Sequence, residues 1–249
     1  MYQNACKNCS TNFTGKFCYN CGQSADTHQM NFHFLWHDIQ HGLFHFDKGI
    51  LYTTKQLFTN PGKTIREFIA GKRVKHFKPI SFVIVLATVY GLLYNYLHLN
   101  PGVSFSDEKG RKAFEMVNQW ITNHYALSSL IMLPIYSLAT YLVFRRQGYN
   151  FIEHFVINAF LSGQRLLVHI ALLPLWYYNN GSMSVKFIST FIDFLFFVWG
   201  FSTLFSALGK FRSVFKSLLA YILFFVFLIT VSSAIGIIIV LVQKLLLKS

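Results

Sequence analysis

Four cysteines near the amino terminus have the spacing of ligands for one tetrahedral metal ion. They form two Cys-x-x-Cys pairs, Cys6 with Cys9 and Cys18 with Cys21, separated by eight residues. Two residues between cysteines let one tight turn direct both sulfurs at the same ion, and structural zinc sites accept four thiolates. Gly22 follows the second pair, where a positive φ is often required. We therefore expect a structural Zn²⁺ ion with no open coordination position for catalysis.

Two other chemistries use the same residues. Two disulfides would need an oxidising compartment, which the charge distribution described below disfavours for this end of the chain. A redox dithiol usually has a single Cys-x-x-Cys within a βαβ pattern. We favour a zinc ribbon over residues 1–25, folded by its metal because so short a segment cannot bury a core. Phe13 and Phe17 are expected to supply its few apolar contacts.

A row of histidines forms a second candidate metal or proton site. His33, His37, His41 and His45 are four residues apart on a helix predicted over residues 31–58, whose opposite face is apolar. A pair such as His37 and His41 could ligate a transition metal. The row drifts by about 40° per step, so the four side chains cannot meet one ion. A polar face exposed to water or lipid headgroups is the simpler interpretation, and we favour it.

Four polar residues fall within long apolar runs. Gln164, Arg165 and His169 lie in the third run and Asp193 lies in the fourth. Such residues are costly in hydrocarbon and usually face a bundle interior or a water-filled cavity. For antiparallel helices the axial offset between His169 and Asp193 is about 4–5 Å, whereas Arg165 lies about 10 Å deeper than Asp193. The group could line a polar path, or it could be a packing pair that locks two spans together.

The composition indicates a multi-pass membrane protein. The chain has 249 residues, of which 53% are hydrophobic and only 12% are charged, about half the charged share of soluble domains. Five apolar runs are long enough to cross about 30 Å of hydrocarbon. They lie near residues 80–99, 126–144, 155–178, 187–208 and 218–242. The predicted fold is therefore all-α, with about five transmembrane helices.

A basic segment at residues 72–78 precedes the first run. It contains Lys72, Arg73, Lys75 and Lys78, which are expected to contact anionic lipid headgroups. Residues 1–79 and the loops at 145–154 and 209–217 carry 15 of the 22 Lys and Arg residues, the opposite side carries 6, and Arg165 lies within a span. The side richer in Lys and Arg faces the cytoplasm. The amino terminus is therefore predicted to be cytoplasmic, in the bacterial inner membrane, and the net charge of +13 needs no nucleic acid.

The chain divides into three predicted segments. The ribbon is followed by amphipathic interfacial helices and the basic segment over residues 26–79, and by a transmembrane helical domain over residues 80–249. In the middle segment, Asn60-Pro61-Gly62 is expected to end the first helix. A short helix from Lys63 to Ala70 follows, and Gly71 is expected to stop it. The loop at 100–124 is predicted to contain another short helix.

Two stretches resemble a family of bacterial inner-membrane proteins of unknown function. They are Phe17-Cys18-Tyr19-Asn20-Cys21-Gly22-Gln23 and the discontinuous pattern from Asp47-Lys48-Gly49 through Asn60-Pro61-Gly62-Lys63 to Phe77-Lys78-Pro79. The family, domain of unknown function 3667, resembles this chain in its zinc ribbon, its Pro-Gly-containing amphipathic segment and its several spans. The resemblance implies no activity.

Two functions fit these features, and no catalytic signature points to an enzyme. The first is a non-enzymatic scaffold whose cytosolic ribbon docks a protein partner. The alternative is a transporter for a small molecule, ion or lipid that uses the polar residues of the third and fourth spans. A polar, water-accessible cavity between these spans would favour transport, and a dry, filled seam would favour the scaffold.

Overall fold

The described chain is an N-terminal hairpin followed by eight helices. The computed structural model describes residues 4–25, 27, 30–32, 34–35, 49–99, 108–179 and 182–246. The short strands β1 (Asn4–Ala5) and β2 (Asn12–Phe13) pair in an antiparallel hairpin. The helices are α1 (Gly49–Thr59), α2 (Pro61–Ile69), α3 (Pro79–Tyr96), α4 (Glu108–Asn123), α5 (Tyr125–Phe144), α6 (Phe151–Tyr178), α7 (Met183–Leu204) and α8 (Lys210–Leu246). The predicted all-α architecture is confirmed.

The two short helices α1 and α2 are joined by Asn60 alone. Pro61 is the first residue of α2, because its fixed φ and missing N–H suit the start of a helix. The predicted start at Lys63 was therefore two residues late. Gly71 has a φ of +108° and ends the segment as predicted. The helix predicted over residues 31–58 is confirmed from Gly49 onward.

The histidine row lies outside the described residues. His33, His37, His41 and His45 all fall in parts of the chain that the structure does not describe. The metal or proton role considered for His37 and His41 therefore stays a prediction.

Five helices, α3 and α5 to α8, are long and apolar enough to cross a membrane. They match the five predicted runs to within four residues at each end, except that α8 begins eight residues earlier than predicted. The predicted short helix in the loop at 100–124 is confirmed as α4. The chain is therefore built as a multi-pass membrane protein.

α6 is the central helix of the bundle. It contacts α3, α5 and α7. In its most apolar 18-residue stretch, 61% of the helix is buried inside the protein, compared with 17% for the corresponding stretch of α8. Its 28 residues form one continuous helix about 42 Å long, which is long enough to cross the hydrocarbon core. α8 is also continuous, and its carboxyl end lies on the face opposite the ribbon. We call the two faces of the bundle the ribbon end and the far end.

α3 and α6 run parallel and pack through small and aromatic residues. Gly163 leaves room for the buried Phe82 ring, which a β-carbon at Gly163 would strike. Toward the far end, the rings of Tyr94 and Trp176 meet edge to face with centroids 5.6 Å apart. These contacts fix the axial position of the first span, α3, relative to the central helix, α6.

At the ribbon end, α2 packs across the carboxyl end of α7. Arg66 Nη1 donates hydrogen bonds to the carbonyl oxygens of Thr203 and Leu204, at 2.7 and 2.6 Å. These carbonyls lack partners within their own helix and form the negative end of its dipole. Gly62 allows the close approach, since a β-carbon there would strike the Thr203 backbone. One cation therefore joins the short helices to the fourth span.

Replacing Arg66 with Ala should destabilise the bundle. The substitution removes two charge-assisted hydrogen bonds and leaves helix-end carbonyls unpartnered, so we expect a loss of about 2 kcal/mol. The melting temperature in detergent should fall by roughly 4–8 °C. Lys63→Ala, at an exposed position of the same helix, is the control and should change stability by less than about 0.5 kcal/mol. Equal melting temperatures for both variants would contradict the role assigned to Arg66.

Candidate functional site

The two cysteine pairs of the ribbon sit in turns of the same kind. The carbonyl of Cys6 accepts a hydrogen bond from the Ser10 N–H, and the carbonyl of Cys18 accepts one from the Gly22 N–H, both at 2.8 Å. In each turn the residue after the second cysteine has a positive φ, +62° at Ser10 and +74° at Gly22. The expectation for Gly22 is confirmed. The repeated geometry directs both sulfurs of each pair to the same side.

The four sulfurs converge on one point. Cys6 Sγ lies 3.5 Å from Cys21 Sγ, Cys9 Sγ lies 3.6 Å from Cys18 Sγ, and all four lie within 4.8 Å of one another. A disulfide would need about 2.05 Å. A tetrahedral ion with metal–sulfur bonds of about 2.3 Å separates its ligands by about 3.8 Å. The cysteines are free thiols in the arrangement of a tetrahedral metal site.

The surroundings of the sulfurs affect their ionisation in opposite directions. The Thr11 hydroxyl, 3.3 Å from Cys9 Sγ, stabilises the thiolate and lowers the pKa of Cys9 to about 6. Asn20 Nδ2 donates to the Thr11 Oγ1 atom at 3.2 Å and so orients that hydroxyl. Burial raises the pKa of the Cys6 thiol to about 11. A bound cation would supply the positive charge that a buried thiolate needs.

The prediction for the apolar contacts of the ribbon was half right. Phe13 is buried against the cysteines, but Phe17 is 65% exposed. The Phe17 backbone forms an isolated bridge with Ser24, and Cys18 points to the metal site. Successive side chains of an extended segment alternate in direction, so Phe17 points outward. Ala25 packs against the cluster instead.

The ribbon is attached to the basic segment. The Arg73 N–H donates to Gln23 Oε1 at 3.2 Å. The side chain of Lys7 lies against Gly71, and its ammonium group donates to the Thr27 carbonyl at 2.8 Å. The four-cysteine cluster, a candidate metal site, therefore lies beside the short helices.

The cations of the basic segment have different surroundings. Lys72 pairs with Glu67 at 3.0 Å, which lowers the pKa of that carboxyl. The Arg73 guanidinium stacks 4.7 Å from the centre of the Phe34 ring. Lys75 is exposed and Lys78 is half-buried. Contact of Lys72, Arg73, Lys75 and Lys78 with anionic lipid stays a prediction, and Lys75 is the most accessible of the four.

Gln164 is turned away from the other predicted intramembrane residues. It is fully buried and its Nε2 donates to the Leu57 carbonyl at 3.0 Å. That carbonyl belongs to the last turn of α1, where backbone oxygens lack helical partners. Neighbouring helical residues point about 100° apart, so Gln164 and Arg165 face different elements. Gln164 therefore joins α6 to α1 and does not line the site described next.

His169 and Asp193 meet between α6 and α7. His169 Nε2 lies 2.9 Å from Asp193 Oδ2 and 3.0 Å from Oδ1. Both side chains are mostly buried. The contact expected from the helical rise between antiparallel spans is present.

Arg165 is held by neutral partners. It lies near the middle of α6, 14 residues after Phe151 and 13 before Tyr178. Its guanidinium donates to Tyr136 Oη at 2.8 Å and to Ser162 Oγ at 3.2 Å. It also lies 4.6 Å from the centre of the Tyr136 ring. As expected from its depth, Arg165 forms no ion pair with Asp193 or with another carboxylate of the described residues.

Arg165, His169 and Asp193 line one cavity of about 200 Å³, which we call the Arg165 cavity. Hydroxyl groups on α5 and α6 complete its polar lining. They belong to Tyr125, Ser129, Tyr136 and Ser162. The cavity therefore lies where the second, third and fourth spans meet, and its lining is partly polar, with Met132 and Leu166 as apolar members.

A second cavity, of about 290 Å³, lies on the far-end side of the first. Both cavities are lined by Tyr125 and His169, so these two side chains stand between them. The other polar and aromatic lining comes from α3, α4, α6 and α7. It includes Tyr90, Tyr94, Asn118, Thr122, Trp176 and Lys186. Together the cavities extend from Arg165 toward the far end.

The hydroxyl partners of Arg165 were missed by sequence reasoning. Ser162 precedes Arg165 by three residues on one helix, a spacing that places both on one face, so it could have been found. Tyr136 carries no such signal, because a tyrosine within an apolar run is common near membrane interfaces. It stacks on Phe224 of α8, with ring centroids 3.7 Å apart.

The fold and these sites define a multi-pass membrane protein with an N-terminal four-cysteine ribbon that could hold a metal ion. Residues 47–91 match a family described as a protein of unknown function, DUF3667. The resemblance noted from the sequence is confirmed over that stretch, which comprises α1, α2, the basic segment and most of α3. No curated protein and no solved structure matches the chain.

Purified full-length protein should contain one tightly bound divalent metal ion per chain. Replacing all four ribbon cysteines with Ser should remove the ion, because hydroxyls are poor ligands compared with thiolates. The helical circular dichroism signal should persist, since the helical bundle contains none of the ligands. Elemental analysis gives the stoichiometry, and Lys16→Ala, at an exposed ribbon position, is the control. Metal retained by the four-Ser variant would place the site elsewhere.

Proposed function

We propose that the protein is a small transporter that binds a solute inside the membrane, in the Arg165 cavity. The observation that carries this proposal is the partly polar cavity around Arg165, where the second, third and fourth spans meet; a purely structural polar pair would lie in a filled seam. A charged guanidinium near the middle of a spanning helix is costly. Its placement beside a cavity rather than in a packed ion pair is what a solute-binding role requires.

The two cavities would give a solute access to Arg165 from the far end of the bundle only. The second cavity leads toward the far end, where α4 and Lys186 border it. On the ribbon side, Phe144, Phe160 and Phe201 are fully buried, and two of them, Phe144 and Phe201, stack with ring centroids 5.5 Å apart. A solute would therefore enter from the far end, and passage to the other side would require this aromatic layer to open.

Several finer assignments belong to the same proposal. The ion of the ribbon is Zn²⁺ in a structural role, supported by an all-thiolate ligand set. The protein resides in the bacterial inner membrane with its ribbon in the cytoplasm, supported by the excess of Lys and Arg at the ribbon end. Lys75 and its neighbours contact anionic headgroups, no nucleic acid is bound, and the protein is not an enzyme.

The second candidate function is a scaffold. Phe17 and Tyr19 are 65% and 79% exposed on the ribbon. Aromatic side chains of this kind are enriched in the contact surfaces of protein partners. The ribbon is also fixed to the basic segment rather than flexibly tethered. These features favour docking of one cytosolic protein on the ribbon.

Thiol accessibility tests the transporter proposal. In lipid nanodiscs, Ser129→Cys should react with a charged, water-soluble methanethiosulfonate reagent, because thiolates form only where water enters. Leu138→Cys is the control, since Leu138 lies on the exposed, lipid-facing side of the same helix. We expect modification at residue 129 to be at least roughly tenfold faster. Mass spectrometry separates it from reaction at the ribbon cysteines.

Equal, slow modification at both positions would mean that the Arg165 cavity excludes water. The polar residues would then be a packing device, and the transporter proposal would fail.

Photocrosslinking tests the scaffold. A photoreactive amino acid in place of Tyr19, in intact cells, should give one discrete protein adduct, since the exposed ring would lie within the interface. The same amino acid in place of Lys55, exposed on α1, should not give that adduct. Adducts with lipid alone at residue 19 would count against a protein partner.

A further inference from the structure

Arg165 gives its cavity several hydrogen-bond donors that the described contacts leave unused. A guanidinium has five N–H donors, and the described contacts of Arg165 use one on Tyr136 and one on Ser162. Both of these hydroxyls accept from Arg165, so their own hydrogens stay free to donate. Among the described contacts, neither hydroxyl donates to another group. The chemistry of the lining therefore suits a ligand that accepts hydrogen bonds.

The one carboxylate among the lining residues is already engaged. Both Asp193 oxygens lie within 3.0 Å of His169 Nε2. Asp193 forms no ion pair with Arg165. The Tyr136 ring offers a cation–π contact but no full negative charge. In a low-dielectric interior, a guanidinium without a direct anionic partner attracts one strongly.

We infer that the Arg165 cavity binds an oxyanion, namely a phosphate group, with Arg165 as its charge partner. The hydroxyls of Tyr136 and Ser162 would donate to the same anion. This inference rests on the proposed function for water and solute access. The guanidinium keeps an unused N–H on each terminal nitrogen, which is the fork that binds two oxygens of one group.

The size of the site restricts the ligand. A volume of about 200 Å³ is below the roughly 300–1,000 Å³ of sites for drug-sized molecules. It accommodates a small free anion or the phosphate of one lipid headgroup. Lys186, which lines the second cavity, would add a further positive charge along the way to the far end. Both sources of the anion share the same recognition chemistry.

Binding experiments on the full-length protein distinguish the two sources. In the first experiment, the protein in phosphatidylcholine nanodiscs is titrated with inorganic phosphate and binding is measured by calorimetry. In the second, the protein is reconstituted in nanodiscs that also contain phosphatidylglycerol, and native mass spectrometry detects any phosphatidylglycerol that stays bound to it. Saturable phosphate binding identifies a free anion, and phosphatidylglycerol retained without phosphate binding identifies a headgroup. Either result supports an oxyanion site if the variants below abolish it.

Two variants and one control make the test specific. Arg165→Gln removes the positive charge of the cavity. Ser162→Asp keeps Arg165 but places a competing carboxylate beside its guanidinium. Each should weaken binding at least tenfold, and Ser162→Asp covers the case in which Arg165→Gln does not fold. Arg146→Gln, at an exposed position of the ribbon end, should leave binding unchanged.

Binding of neither probe, or binding unaffected by Ser162→Asp, would overturn the oxyanion assignment. If Ser129→Cys is nevertheless modified, the cavity remains a solute site and only the anion class is wrong. If Ser129→Cys is not modified, the proposed function fails as well.

Discussion

Polar groups buried in the bundle, and backbone groups at its helix ends, must find partners within the protein, because lipid offers none. In this bundle that requirement joins segments far apart in the chain. Arg66 takes the unpaired carbonyls at the end of α7, and Gln164 takes one at the end of α1. His169 takes the carboxylate of Asp193. Each contact supplies hydrogen bonds that a helix end or a buried side chain lacks, and each fixes the position of two elements.

The central helix carries most of these contacts because its neighbours surround it. Gln164 reaches α1, Arg165 reaches α5, and His169 reaches α7. Successive residues of a helix are rotated by about 100° about its axis, so a short polar stretch on one helix can contact three neighbouring helices. At Arg165 the partner hydroxyls are small, and space remains beside the cation. The cavity therefore arises because the large Arg165 guanidinium is hydrogen-bonded to neutral hydroxyl groups that do not fill the space around it.

Local features of the fold could be predicted from residue spacing and apolar length. Contacts between helices could be predicted only where the rise per residue of antiparallel helices determined them. The spacing of Cys6, Cys9, Cys18 and Cys21 was enough to predict the four-cysteine cluster, and apolar length was enough to predict five spans. The His169–Asp193 contact followed from helical rise alone. The role of Gln164 could not follow, because it depends on where α1 packs. Phe17 was misjudged because its direction depends on a backbone bridge that residue spacing does not reveal.

The segment that matches the family, residues 47–91, includes the two short helices that cover the ribbon end of the bundle, followed by most of the first span. Within it, Phe58 meets Phe196 of α7 with ring centroids 5.5 Å apart, and Gly62 lets α2 approach the last turn of α7. Arg66 then ties α2 to that turn. Any rotation of α7 that opens the ribbon end must either break these charge-assisted hydrogen bonds or carry α2 with it. Since the ribbon is bonded to the basic segment just beyond α2, a continuous series of contacts joins the fourth span to the four-cysteine cluster.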